Sequence, residues 1–167
     1  MSCDIVSYHG HVIIRPATPA DVSAVIPMVA KIAALHEEWD PAKYGYRAGV
    51  PEMYRGWLTN RAGDRRSVFL VAEREGRLVA FLIATVEREI PIYRIEEFGF
   101  IHDLWVEPEY RNEGIARQMT MLAIEKFREI GVKQVRLDTH AKNDAARALF
   151  ASCGFRPSVT EMLIEIE

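Results

Sequence analysis

Apolar and polar positions alternate along this chain in a way that spells out its elements. Residues 11–15 (HVIIR) form an apolar run stopped by Pro16 and predict a strand. Thr18, Pro19 and Asp21 then supply an N-cap, a first-turn proline and a capping-box acid. Val22, Val25, Val29, Ile32 and His36 follow at spacings of three and four, one face of a helix. Pro27 sits inside that helix, where a kink or a lost hydrogen bond is expected. The periodicity stops over 37–50 (EEWDPAKYGYRAGV), an aromatic-bearing loop long enough to have a function of its own. It is expected to pack either over an acceptor substrate or simply onto the surface. Pro51 opens a short helix running through Trp57 and Leu58.

Two apolar runs, 67–73 (SVFLVAE) and 78–87 (LVAFLIATVE), flank Arg74-Glu75-Gly76-Arg77 and predict a hairpin with glycine at a positive-φ position. A polar connection leads to a strand over 98–106. Ile115, Met119, Leu122, Phe127 and Ile130 then mark the buried face of a helix ended by Gly131. Residues 134–139 predict a strand, and Asn143 caps a short helix that carries Ala146, Leu149, Phe150 and Cys153 inward. The apolar residues of 160–166 predict a closing strand. The order β-α-α-β-β-β-α-β-α-β describes one α/β domain over 1–167 with a mixed sheet.

Composition narrows the classes. The chain has 167 residues, enough for one substantial core. A net charge of -3 argues against binding nucleic acid through a broad basic surface. No apolar run approaches a bilayer span, and MSCDIVSYHG has neither part of a signal peptide, so no membrane partner and a cytoplasmic location are expected. Cys3 and Cys153 give neither a disulfide framework nor metal-ligand spacing, and no metal is expected.

The chemistry concentrates in 101–117 (IHDLWVEPEYRNEGIAR), an apolar strand entering a glycine-bearing loop at a helix start. Such a junction gathers backbone N–H groups and the positive end of the helix dipole, and so favours phosphate oxygens. No Gly-Lys-Ser/Thr follows, which removes a P-loop, and the glycines of a dinucleotide fingerprint are missing.

The segment resembles the acetyl-CoA motif of the Gcn5-related N-acetyltransferase (GNAT) family, in which an apolar strand is followed by R/Q-x-x-G-x-G/A and a helix. Here those parts read Leu104-Trp105-Val106 and 111–116. Downstream, Asn143, Ala148-Leu149-Phe150 and Gly154-Phe155 match the family's Asn, aromatic and Gly-Phe positions.

The resemblance implies a GNAT-like fold, a twisted sheet of about six or seven strands splayed at the CoA site, with about four helices. It implies an acetyl-CoA-dependent N-acetyltransferase that moves the acetyl group to a primary amine by direct attack. The pyrophosphate would lie on Arg111, Asn112, Glu113, Gly114, Ile115, Ala116 and Arg117. The pantetheine would run along Leu104, Trp105 and Val106, with Asn143, Ala146 and Phe150 completing the cofactor site. The Val106 backbone N–H would donate to the oxyanion.

A base is needed to take the amine proton. Glu97 and Asp103 are the favoured candidates, with Glu96, His102 and His140 nearby. His102 and Asp103 point to opposite faces unless a bulge intervenes. Where many family members carry a tyrosine that protonates the thiolate, this chain has Phe150, which has no proton to give. Ser152, Cys153, Tyr110 or water are the remaining donors. That departure motivates an alternative, a non-catalytic acyl-CoA-binding domain of the same fold. Partners are expected to be acetyl-CoA and an amine-bearing small molecule or peptide, with a homodimer by analogy to the family.

Overall fold

A mixed sheet divides the molecule into two apolar layers, and the alternation of each strand decides which layer a side chain joins. The computed structural model describes residues 7–9, 12–47 and 49–166; Cys3 and His11, the first residue of the expected first strand, lie outside them. The strands are β1 (Ser7–His9), β2 (Val12–Pro16), β3 (Ser67–Arg74), β4 (Arg77–Arg88), β5 (Glu97–Val106) and β6 (Val135–Leu137), in the spatial order β1-β2-β3-β4-β5-β6. All neighbours are antiparallel except β5 and β6, which run parallel. The helices are α1 (Val22–Trp39), α2 (Val50–Arg61), α3 (Ile115–Ile130) and α4 (Asp144–Ser152).

On one face α1 and α2 cover Phe69, Val71, Phe81 and Ile83. On the other, Ile115, Met119, Ala123 and Phe127 of α3 pack on Val68, Leu70, Leu82 and Ile101. Phe127 needs room, and Gly99 of β5 provides it: a Cβ there would lie 2.6–2.7 Å from three Phe127 ring atoms. Gly99→Ala is therefore expected to cost about 1–3 kcal/mol as an overpacking change, read as a lower denaturant midpoint at unchanged slope.

The predicted turns and caps form. In the β3–β4 hairpin Glu75 and Gly76 take φ of 53° and 75°, the pair of left-handed residues that a two-residue turn of matching twist requires. The Asp21 carboxylate accepts from the Thr18 N–H at 2.7 Å and its hydroxyl at 2.8 Å, and is clasped by Arg15 at 2.8 and 2.9 Å. These bonds hold its pKa well below the usual carboxylate range. The α1 helix runs through Pro27 without a break.

One expected strand is missing. Residues 160–166 belong to no strand, and Met162, Leu163, Ile164 and Ile166 stand exposed. Apolar composition supplies strand propensity, but a strand exists only where a neighbour pairs with it, and this segment joins no ladder. Among the described residues the sheet has six strands, β1 to β6, of which β1 is three residues long.

Candidate active site

The site forms where β5 leaves β6. Pairing of the two ends at Ile101 with Leu137, so residues 102–106 have β4 on one side and no parallel partner on the other. This is the expected splay. The Glu107 N–H bonds the Val79 carbonyl at 2.9 Å, toward β4. Alternation in an antiparallel ladder then turns the N–H and C=O of Leu104 and Val106 toward the open edge. The Val106 carbonyl is taken by Arg111 Nε at 3.0 Å, and the Arg111 guanidinium lies 4.7 Å over the Trp105 ring. The Val106 N–H points to the open edge, while Arg111 is a strut between strand and loop.

An ion pair between the exposed Lys31 and the buried Glu107 fixes the end of this strand. Glu107 is 5% exposed; both its oxygens accept from Lys31 Nζ at 2.7 Å, and one accepts from Trp105 Nε1 at 3.2 Å. Burial alone would raise its pKa, but the lysine and indole bonds outweigh that and hold it below the ordinary glutamate range.

The loop after β5 turns into α3 through two left-handed residues, Asn112 at φ 64° and Gly114 at φ 82°. The Arg111 N–H is used by Pro108 O at 3.3 Å, and the first hydrogen bond into the helix runs from the Gln118 N–H to Gly114 O at 3.0 Å. Ile115, Ala116 and Arg117 thus present first-turn N–H groups with no intrahelical acceptor. Above Gly114 the space is open: an added Cβ would meet only Gln118 Nε2, at 3.9 Å. Glu113 is turned aside and pairs with Arg74 at 2.9 Å. A helix N-terminus with open space over a glycine suits an anion of phosphate size.

The bulge that the sequence left open is present, and it decides which carboxylate faces the cleft. Ile83 is opposite Asp103 and Ala84 opposite Ile101, which makes His102 the extra residue. Beyond it the alternation is reset: Ile101, Leu104 and Val106 face α3, whereas Trp105 packs on the α1/α2 side. His102 and Asp103 both turn that way. His102 meets Trp57 of α2 edge-on at 5.2 Å, and Asp103 accepts a short hydrogen bond from the Tyr54 hydroxyl of the same helix.

Burial raises the Asp103 pKa above the ordinary aspartate value, with the Tyr54 bond and the nearby His102 and His36 opposing the rise. Burial likewise pushes the His102 and His36 imidazoles down, so both are neutral near pH 7. Burial and the Asp103 charge push the Tyr54 phenol well above its usual range, so it remains a donor. The Thr85 hydroxyl lies 2.6 Å from both Glu87 Oε1 and His102 Nε2. It has one proton, given to the carboxylate, and so accepts from a proton on His102 Nε2.

Glu97 is not brought to this cleft. It opens β5, six residues and about 20 Å of strand from Asp103, and its carboxylate is engaged by Arg66 at 2.7 Å and Arg88 at 3.6 Å. Asn143 caps α4, its Oδ1 accepting from the Ala146 N–H at 3.0 Å. Phe150 is 8% exposed, packed edge-on against Phe155 at 5.6 Å. Ser152 hydrogen-bonds the Leu149 carbonyl at 2.6 Å. Phe150→Tyr is expected to leave turnover unchanged or raise it, as read by thiol release. A large fall at unchanged melting temperature would show that the ring serves packing alone.

Sequence reasoning missed Tyr54 and Trp57, which reach the site from α2, and placed His36 only as one position of a helix face. Their spacing in a short helix carries no chemical signature; only the proline and aromatic residues of the preceding loop hinted that the region covers something.

Comparison with known proteins gives the family. The model of the acetyltransferase (GNAT) family matches residues 32–155. The chain belongs to this family. It is 32% identical over 93 residues to human N-acetyltransferase 8, covering 56% of this chain and 40% of that protein. It is 35% identical over 103 residues to an uncharacterized N-acetyltransferase of Archaeoglobus fulgidus, covering 62% of this chain and 67% of the relative. This chain thus spans about two-fifths to two-thirds of those relatives. A mutant of the BH1408 protein from Bacillus halodurans shares the fold, with a TM-score of 0.81 at 23% identity over 93% of this chain and 99% of that one.

Proposed function

We propose that this protein transfers the acetyl group of acetyl-CoA to a primary amine bound between β5, α1 and α2. The observation that carries the reading is the β5 edge past the bulge. One strand there presents a backbone N–H at Val106, a carboxylate at Asp103 and, at its end, an anion-binding helix start.

In this reading Gly114, Ile115, Ala116 and Arg117 hold the pyrophosphate, and the open edge at Leu104 hydrogen-bonds the amide-bearing arm as an added strand would. The Val106 N–H stabilises the oxyanion formed on the thioester carbonyl. Asp103 receives the ammonium group and takes its proton. The freed amine attacks the carbonyl carbon, the new C–N bond forms, the C–S bond breaks with its electron pair passing to sulfur, and the second amine proton leaves the nitrogen for the thiolate through water. Phe150 contributes apolar packing and no proton, so the thiolate is protonated through water.

Phe150 favours a second reading, binding of an acyl-CoA without transfer. The two are separated by titrating acetyl-CoA and then adding amines. Both expect a rise in melting temperature with acetyl-CoA, but only the first expects thiol release that depends on amine. A protein whose melting temperature ignores millimolar acetyl-CoA excludes both.

A further inference from the structure

A cluster of rings is built on His36 and Tyr46, both within charge range of Asp103, with Glu37 also within reach of Tyr46. His36 and Trp39, neighbours on α1, have ring centroids 5.7 Å apart, and Tyr44 stands 4.9 Å from His36. His140, from the loop after β6, stacks on Trp39 at 5.1 Å with an interplanar angle of 24°. Tyr46 lies within charge range of both Asp103 and Tyr44 and is 44% exposed, so its ring is open to a ligand. Rings from α1, from the loop that follows it and from the β6–α4 loop are thus gathered into one cluster, joined to Asp103 through His36 and Tyr46.

The charges at the rim point the same way. The Lys142 ammonium bonds the Trp39 carbonyl at 2.7 Å. The Lys43 ammonium lies 5.3 Å over the Tyr44 ring and pairs with Glu161 at 2.6 Å. Cations of the protein already occupy this edge. One incoming ammonium finds Asp103, whereas a second or third, as on a polyamine or an aminosugar, meets the Lys142 ammonium.

We propose that the acceptor is a primary monoamine joined by a short linker to a flat aromatic body, its nitrogen at Asp103 and its body against Trp39, Tyr44 and Tyr46. The rings supply face and edge contacts to a flat group and an electron-rich surround for the cation. This rests on the acetyltransferase reading above and names its substrate class.

The test compares thiol release from acetyl-CoA with 2-phenylethylamine, n-hexylamine, spermidine and kanamycin. The kcat/KM for phenylethylamine is expected to exceed each of the others by about tenfold, or ~1.4 kcal/mol. Trp39→Leu and, separately, the exposed Tyr46→Leu are expected to narrow its lead over hexylamine through KM. Equal or better turnover of spermidine, kanamycin or hexylamine overturns the proposal, as does an unchanged lead in both variants. If no amine is turned over, the acetyltransferase reading fails, and calorimetry with the same four amines still reads the rings. Phenylethylamine bound about tenfold tighter than the others supports the aromatic acceptor, and any other order overturns it.

Discussion

Replacing Asp103 with asparagine is expected to lower kcat by about 10²- to 10⁴-fold, the usual contribution of a positioned general base, and to leave acetyl-CoA affinity unchanged. The side chain has almost the same shape, and the phosphate-binding loop begins eight residues further on, so a loss confined to turnover identifies proton transfer rather than misfolding. Two pH effects accompany it. In the wild-type protein kcat/KM is expected to fall on acidification through a pKa above that of an ordinary aspartate, because burial raises it, and asparagine is expected to abolish that limb.

The stability effect has the opposite sense. A raised native pKa means the native state binds the proton more tightly than the unfolded chain, so stability declines as pH rises from the ordinary aspartate value through the raised one. Asp103→Asn is therefore expected to hold or increase the melting temperature at neutral pH while reducing turnover. A mutant that loses stability and activity together would make Asp103 a structural partner of Tyr54 and nothing more.

The second large effect is at Gly114. With φ at 82°, any side chain is strained there, and a β-branched one most of all. Gly114→Val is expected to cost about 1–2 kcal/mol of stability. It is also expected to weaken acetyl-CoA about 10- to 100-fold, the loss of one or two hydrogen bonds to a charged group. Gly114→Asn separates the two, because asparagine tolerates the left-handed region. It is expected to keep the melting temperature of the free protein and still lose affinity, since its side chain enters the space above the helix start. Unchanged affinity in the asparagine variant, measured by calorimetry, would remove this loop from the cofactor site.

Much of the donor side was legible because its signals are local. The Gly114 junction, the face of α3 and the Gly76 turn each depend on residues a few positions apart, and each forms as its spacing predicts. The acceptor side was not, because its parts are brought together by tertiary structure. Tyr54 meets Asp103 across forty-nine positions of sequence, and nothing near either residue announces the pairing. Glu97 looked available until Arg66, thirty-one positions away, took its carboxylate.

The bulge at His102 is the instructive case. Strict alternation allows either His102 or Asp103 into the cleft; one extra residue in β5 admits both. The segment 160–166 shows the reverse limit, since its apolar residues predict a strand and no neighbour pairs with it.

The central claim is that this strand edge brings donor and acceptor together for direct transfer. Rapid mixing of the protein with acetyl-CoA and a primary amine, with thiol and acetylated amine both quantified by mass, tests it most directly. Direct transfer gives one thiol per acetylated amine, no acetyl-enzyme at any time, and no thiol release without amine beyond slow hydrolysis. Tight binding of acetyl-CoA with neither product formed, or an acetyl group found on the protein before it reaches the amine, would contradict it.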